Sequence, residues 1–131
     1  MENKIEEARA RKRSGEYNCA QAVACTFSDV TGLDEETLRA ATNAFGTGMA
    51  TMEGTCGALT GAAVVVGLAT RDRARSRALI KEIMTNFRMR NGATVCRELK
   101  GIGTGRVLRQ CEDCVADAAE FLAKALDKKE A

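Results

Sequence analysis

Apolar residues recur at helical spacing along most of the chain. In RARSRALIKEIMTNFRMR, Leu79, Ile80, Ile83, Met84 and Phe87 fall on one stripe of a 3.6-residue period, and Val115, Ala118, Leu122 and Leu126 form a second stripe near the C-terminus. No segment sustains the two-residue alternation of a half-buried strand. With no proline in the chain, glycine supplies the breaks, at Ser14-Gly15, Thr31-Gly32, Phe45-Gly46, Asn91-Gly92 and Lys100-Gly101, each at the end of a helical run where a left-handed residue can satisfy the last carbonyls. The pattern predicts helices over about 2–14, 18–31, 34–44, 55–71, 74–91 and 107–128, with a short one at 93–100. The 55–71 segment is apolar on every side, which predicts a central helix surrounded by the others. The expected fold is all-α, a compact bundle of six or seven helices forming one domain over 1–131, with exposed ends.

Composition narrows the chemistry. A chain of 131 residues buries about two-thirds of its unfolded surface and folds without covalent staples, so its six cysteines are not needed as a disulfide scaffold. The opening MENKIEEARARKR has no apolar stretch of a secretory signal, and the expected compartment is the reducing cytoplasm, where thiols stay free. The longest apolar run stops at Arg71, short of the roughly 18 residues of a membrane span, and a formal charge of +2 points to neither a membrane nor a nucleic-acid partner. There is no histidine, which excludes a Cys-His nucleophile pair, a mixed Cys/His zinc site and a histidine general base.

The cysteines separate by helical angle. Cys19 shares a face with Val23, Thr26 and Val30, whereas Cys25 lies about 120° away. Cys111 falls at the centre of the Val115, Ala118 and Leu122 stripe and is expected to point inward, with Cys114 about 60° to its side. Cys96 precedes RELKG on a short helical piece, and Cys56 stands at the start of its helix with Thr55 as the expected cap. Cys19, Cys56, Cys96 and Cys111, from four segments, can therefore face one interior. Around Cys56, the glycines of FGTGM and MEGT permit a tight loop that aims backbone N–H groups at the sulfur, and a helix N-terminus lowers a thiol pKa. Gly54 and Gly57 are the expected places for backbone to approach a cofactor. Gly57 and Gly61, four residues apart, also suit a close helix-packing seam, and on that reading alone Cys56 is only a small buried residue.

The stretches EYNCAQAV, FGTGMATMEGTCGALTGA, TVCREL and CEDCVADAAEFL together resemble the C-GCAxxG-C-C family, whose signature reads CGALTG in this chain. The resemblance runs from about Tyr17 to Leu122 and implies a redox-active protein whose site cysteines are Cys19, Cys56, Cys96 and Cys111. Cys25 and Cys114 are additional to the pattern, Cys114 being the alternative occupant of the fourth position. Related sequence occurs in split-Soret cytochromes c, but without a CxxCH motif haem is not expected here.

Two chemistries suit such a cluster: reversible dithiol/disulfide exchange, or a four-thiolate centre holding zinc or an iron–sulfur cluster. The spacing matches neither ferredoxin runs nor paired CxxC zinc motifs, and Met49 and Met52 read as gap-filling residues rather than thioether ligands. GIGTGR and FGTGM follow no strand and read as loops; RDRARSR reads as a solvated face. The leading expectation is a redox or electron-transfer protein with an unspecified redox partner. A metal-binding module and a helical interaction domain with incidental buried thiols follow. Self-association and enzymatic activity stay open. Serine at Cys25 or Cys114 is expected to spare the redox or metal signal, and serine at any of the other four cysteines to impair it.

Overall fold

The computed structural model describes residues 2–130. Among them are nine helical segments: α1 (Glu2–Arg13), α2 (Cys19–Thr26), α3 (Ser28–Thr31), α4 (Glu35–Ala41), α5 (Gly46–Met49), α6 (Gly57–Thr70), α7 (Arg73–Asn91), α8 (Cys96–Lys100) and α9 (Cys111–Glu130). The fold is all-α, as the periodicity predicts, and the only β pairing among the described residues is an isolated antiparallel bridge between Thr55 and Val95. None of these helices is long and apolar enough to cross a membrane.

Packing explains the arrangement. Leu59, Ala62, Val65 and Val66 of α6 are buried against Val23 and Phe27, Ile83 and Phe87 of α7, and Val115, Ala118 and Leu122 of α9. Each large apolar side chain taken from water contributes about 1.5–3 kcal/mol, so this shared core fixes the helices around α6. Helix α6 contacts α2, α3, α5, α7 and α9, and only its Ala63 side is open to solvent. The α2–α6 crossing is tight at Gly61, where a Cβ would lie 2.5 Å from the Ala20 carbonyl oxygen. Helix α1 lies along α9, joined to its first turn by Arg9–Asp113 and Arg13–Glu112 ion pairs.

The structure differs from the sequence pattern in four places. The expected helix over 18–31 breaks at buried Phe27, whose N–H donates to the Ala24 and Cys25 carbonyls and closes α2. The tight loop expected at FGTGM opens with a helical turn, α5, and in and just after it Thr47, Met49, Ala50 and Met52 all take positive φ, a conformation that non-glycine residues seldom adopt. Helix α8 starts at Cys96 instead of 93, because the chain before it is extended: the Cys56 N–H donates to the Thr94 carbonyl at 2.8 Å, and the Cys96 N–H to the Gly54 carbonyl at 3.0 Å. Helix α9 starts at Cys111 instead of 107, because Leu108 and Arg109 turn back to donate their N–H groups to the Leu99 carbonyl. That return brings the start of α9 against the end of α8.

Candidate functional site

Four cysteines mark the starts of four helices. Cys19, Cys96 and Cys111 are the first residues of α2, α8 and α9, and Cys56 is the N-cap of α6. Local chemistry secures each start. Asn18 caps α2, accepting from the Gln21 N–H at 2.8 Å while the Gln21 side chain accepts from the Asn18 N–H at 2.9 Å. A second tie runs from the Asn18 side chain to the Thr42 carbonyl at 3.1 Å. Cys56 and Cys96 are set by the extended pairing described above. Gly48 is required beside Cys96, since a Cβ on it would lie 2.6 Å from the Cys96 Cβ.

One pocket gathers Cys19, Cys56, Cys96, Cys111 and Cys114, with Lys12, Lys100 and Arg109 as its cationic side chains. Its cavity, about 40 Å³, holds a few water-sized molecules rather than an organic substrate. The four cysteines selected from the sequence are thus brought together, and Cys114 joins them. Cys25 stands apart, buried on α2 with its Sγ 3.7 Å from the Glu35 carbonyl oxygen.

The angular expectation for α9 is corrected here. Cys114 is the more enclosed of its pair, only 2 % exposed, whereas Cys111 is half-buried. A single inward stripe presumes burial from one side, but α9 is packed by α1, α2, α6 and α7, and residues 114–119 are all buried. The expected Thr55 cap is also replaced: Thr55 lies in the bridge and Cys56 itself takes the cap position. The amides facing the Cys56 sulfur belong to Ala58 and Leu59 of its own helix, not to the upstream glycine loop. Gly57 lines the pocket; Gly54 does not, and instead passes close to Gly48 and supplies the carbonyl that holds Cys96. Met49 is 48 % exposed, and neither it nor Met52 reaches the pocket.

The sulfurs interact as two pairs. Cys111, with burial, pushes the Cys19 thiol well up, and Cys19, together with the Lys100 ammonium, brings Cys111 down to about 5 against the opposing effect of burial. Lys100 Nζ donates to Cys111 Sγ at 2.8 Å. Cys114 likewise lowers Cys56, with help from the Ala58 and Leu59 amides, and is itself raised strongly by Cys56 and burial; its Sγ lies 3.9 Å from the Arg109 carbonyl oxygen. Burial raises Cys96. In the first pair Cys19 is the thiol and Cys111 the thiolate, and the positive ends of α9 and α6 favour negative charge on Cys111 and Cys56. Lys100, Lys12, Arg109 and the placement of Cys114 were not found from sequence. Lys100 reads there only as the end of a helix, and it reaches Cys111 through the return of the 101–110 loop, which leaves no periodic signal.

Residues 17–125 match the sequence profile of a family described as "Putative redox-active protein (C_GCAxxG_C_C)". The chain belongs to the C_GCAxxG_C_C family. The match encloses all six cysteines and leaves α1, with Lys12, outside it. No curated protein and no solved structure matches the chain significantly. A metal centre was the other chemistry open to this family member, and its donor set, all thiols, suits a soft metal. The arrangement does not: among the described residues no three His, Cys, Asp or Glu side chains are disposed to hold one metal ion.

Proposed function

We propose that this protein is a dithiol/disulfide redox protein that exchanges electrons with a partner disulfide. The observation that supports the reading is the pairing of Cys19 with Cys111 beside Lys100, backed by the second pair of Cys56 with Cys114. Cys111 is the half-exposed member and is held as thiolate, so it is the attacking nucleophile. Its sulfur attacks one sulfur of the partner disulfide, forming a mixed disulfide and expelling the other partner sulfur as thiolate. Cys19 then loses its proton and attacks the Cys111 sulfur, releasing the second partner thiolate. The partner gains two electrons, and Cys19 and Cys111 lose them in forming one S–S bond. Cys56 and Cys114 provide a second dithiol in the same pocket, able to re-reduce the first by the same exchange.

The test is to purify the protein without oxygen, measure metal content, and titrate free thiols across thiol/disulfide buffers of graded potential. The expected result is a reversible loss of two thiols, then four, in protein free of stoichiometric metal. A thiol count that does not change reversibly overturns the reading. Stoichiometric zinc or iron that abolishes thiol titration overturns it in favour of a metal centre.

A further inference from the structure

Lys100 is an unusual neighbour for a cysteine cluster. The groups that chiefly raise its pKa are cysteines, Cys111 first, then Cys96 and Cys19. Its nitrogen lies 2.8 Å from the Cys111 sulfur. That is a separation typical of N–H···O bonds, at about 2.9 Å, reached although sulfur is the larger atom. The contact is held from both sides. Lys100 ends α8, Cys111 begins α9, and the intervening loop is pinned to Leu99 by the N–H groups of Leu108 and Arg109. Both side chains line the pocket, whose cavity of about 40 Å³ exceeds the size of a diatomic molecule, and Cys111 is half-buried, so an oxidant can reach the sulfur.

We propose that Lys100 and Cys111 are a covalent modification site, joined by a nitrogen–oxygen–sulfur bridge when the protein meets dioxygen. The bridge goes beyond the dithiol reading, since it needs only these two side chains and the oxidant. One dioxygen reacts with the Cys111 thiol and the Lys100 amine, the neutral form of the observed ion pair. The O–O, S–H and one N–H bond break, and S–O and O–N bonds form. The second oxygen leaves as water with the two displaced hydrogens. Four electrons pass to oxygen, two from sulfur and two from nitrogen. Two equivalents of a dithiol reverse the change, returning thiol, amine and one further water and leaving two disulfides. While bridged, Cys111 is withdrawn from thiol exchange.

Anaerobically reduced protein is exposed to oxygenated buffer and weighed intact. The bridge adds one oxygen and removes two hydrogens, a gain of about 14 Da, against a loss of about 2 Da for a disulfide and a gain of about 16 Da for a sulfenic acid. Trypsin is then expected not to cut after Lys100, and the 98–106 segment to appear cross-linked to 110–124. The gain is expected to vanish on treatment with dithiothreitol, which separates it from methylation, and to be missing in Lys100→Arg and in Cys111→Ser. Lys100→Arg keeps the positive charge beside Cys111, and circular dichroism of that variant verifies its helices. The absence of the gain in the oxidised wild type, or its persistence in Lys100→Arg, overturns the proposal. The two readings fail separately, because thiol titration in anaerobic disulfide buffers reports the dithiols and only the mass gain reports the bridge.

Discussion

Cys111 combines a half-exposed side chain, the Cys19 thiol in the same pocket and an ammonium at 2.8 Å. Its pKa falls from an ordinary 9.0 to about 5, so at neutral pH it is already ionised. Iodoacetamide is therefore expected to alkylate it at a rate that is flat from neutrality down to about pH 6 and declines through about pH 5. Lys100→Gln is expected to move that decline upward, and an unchanged profile would show that the lysine has no hold on the thiolate. Stability has the same sign: the folded state prefers the thiolate, so the contribution is present above the unfolded value of 9.0 and is lost as pH falls through about 5. Cys25 and Cys114 give a second residue-level prediction. Cys25→Ser is expected to leave the thiol titration of the other cysteines intact. Cys114→Ser, contrary to the angular reading, is expected to remove the second dithiol and to raise the Cys56 pKa, because Cys114 is the foremost cause of its lowering. Equal titrations in the two variants would disprove the second pair.

At the level of elements, α6 carries two glycines in opposite circumstances. A Cβ on Gly61 would strike the Ala20 backbone at 2.5 and 2.8 Å, whereas one on Gly67 would meet nothing within 4 Å. Gly61→Leu is expected to destabilise by about 1–3 kcal/mol, because the α2–α6 crossing cannot open without disturbing the core. Gly67→Ala is expected to stabilise by about 0.5–1 kcal/mol through helix propensity alone. Urea denaturation of both variants checks the contrast. Residues such as Leu79, Ile83 and Phe87 made α7 legible from sequence because burial on one side leaves a period. The break at Phe27 and the left-handed residues around α5 leave none. Thr47, Met49 and Ala50 are held at positive φ by their surroundings, including the close passage of Gly48 and Gly54, and nothing in their side chains announces it. Cys114 was misread for a related reason: a helix packed on several sides has no single stripe from which to measure an angle.

Across the whole molecule, the convergence of Cys19, Cys56, Cys96 and Cys111 was legible from the glycine breaks and the helical phases of separate segments. Their occurrence at helix starts was legible for Cys19 and Cys56, but not for Cys96 and Cys111, whose helices start later than the pattern predicts. The cationic side of the pocket depends on contacts distant in sequence, with Lys12 arriving from α1 along the α1–α9 contact and Lys100 from α8. The pairing of the sulfurs has an electrochemical consequence. A dithiol with both protons in place gives up two protons with its two electrons, and its midpoint potential drops by about 60 mV per pH unit. In the Cys19–Cys111 pair one proton is shared between two sulfurs, so closing that disulfide releases two electrons and a single proton. The midpoint potential of that couple is therefore expected to fall by only about 30 mV per pH unit between about pH 6 and pH 8. Redox titrations at a series of pH values measure the slope directly, and a slope near 60 mV would mean that the sulfurs are fully protonated. At half the usual slope, the direction of electron flow between this protein and a fully protonated dithiol partner depends on the acidity of the surrounding solution.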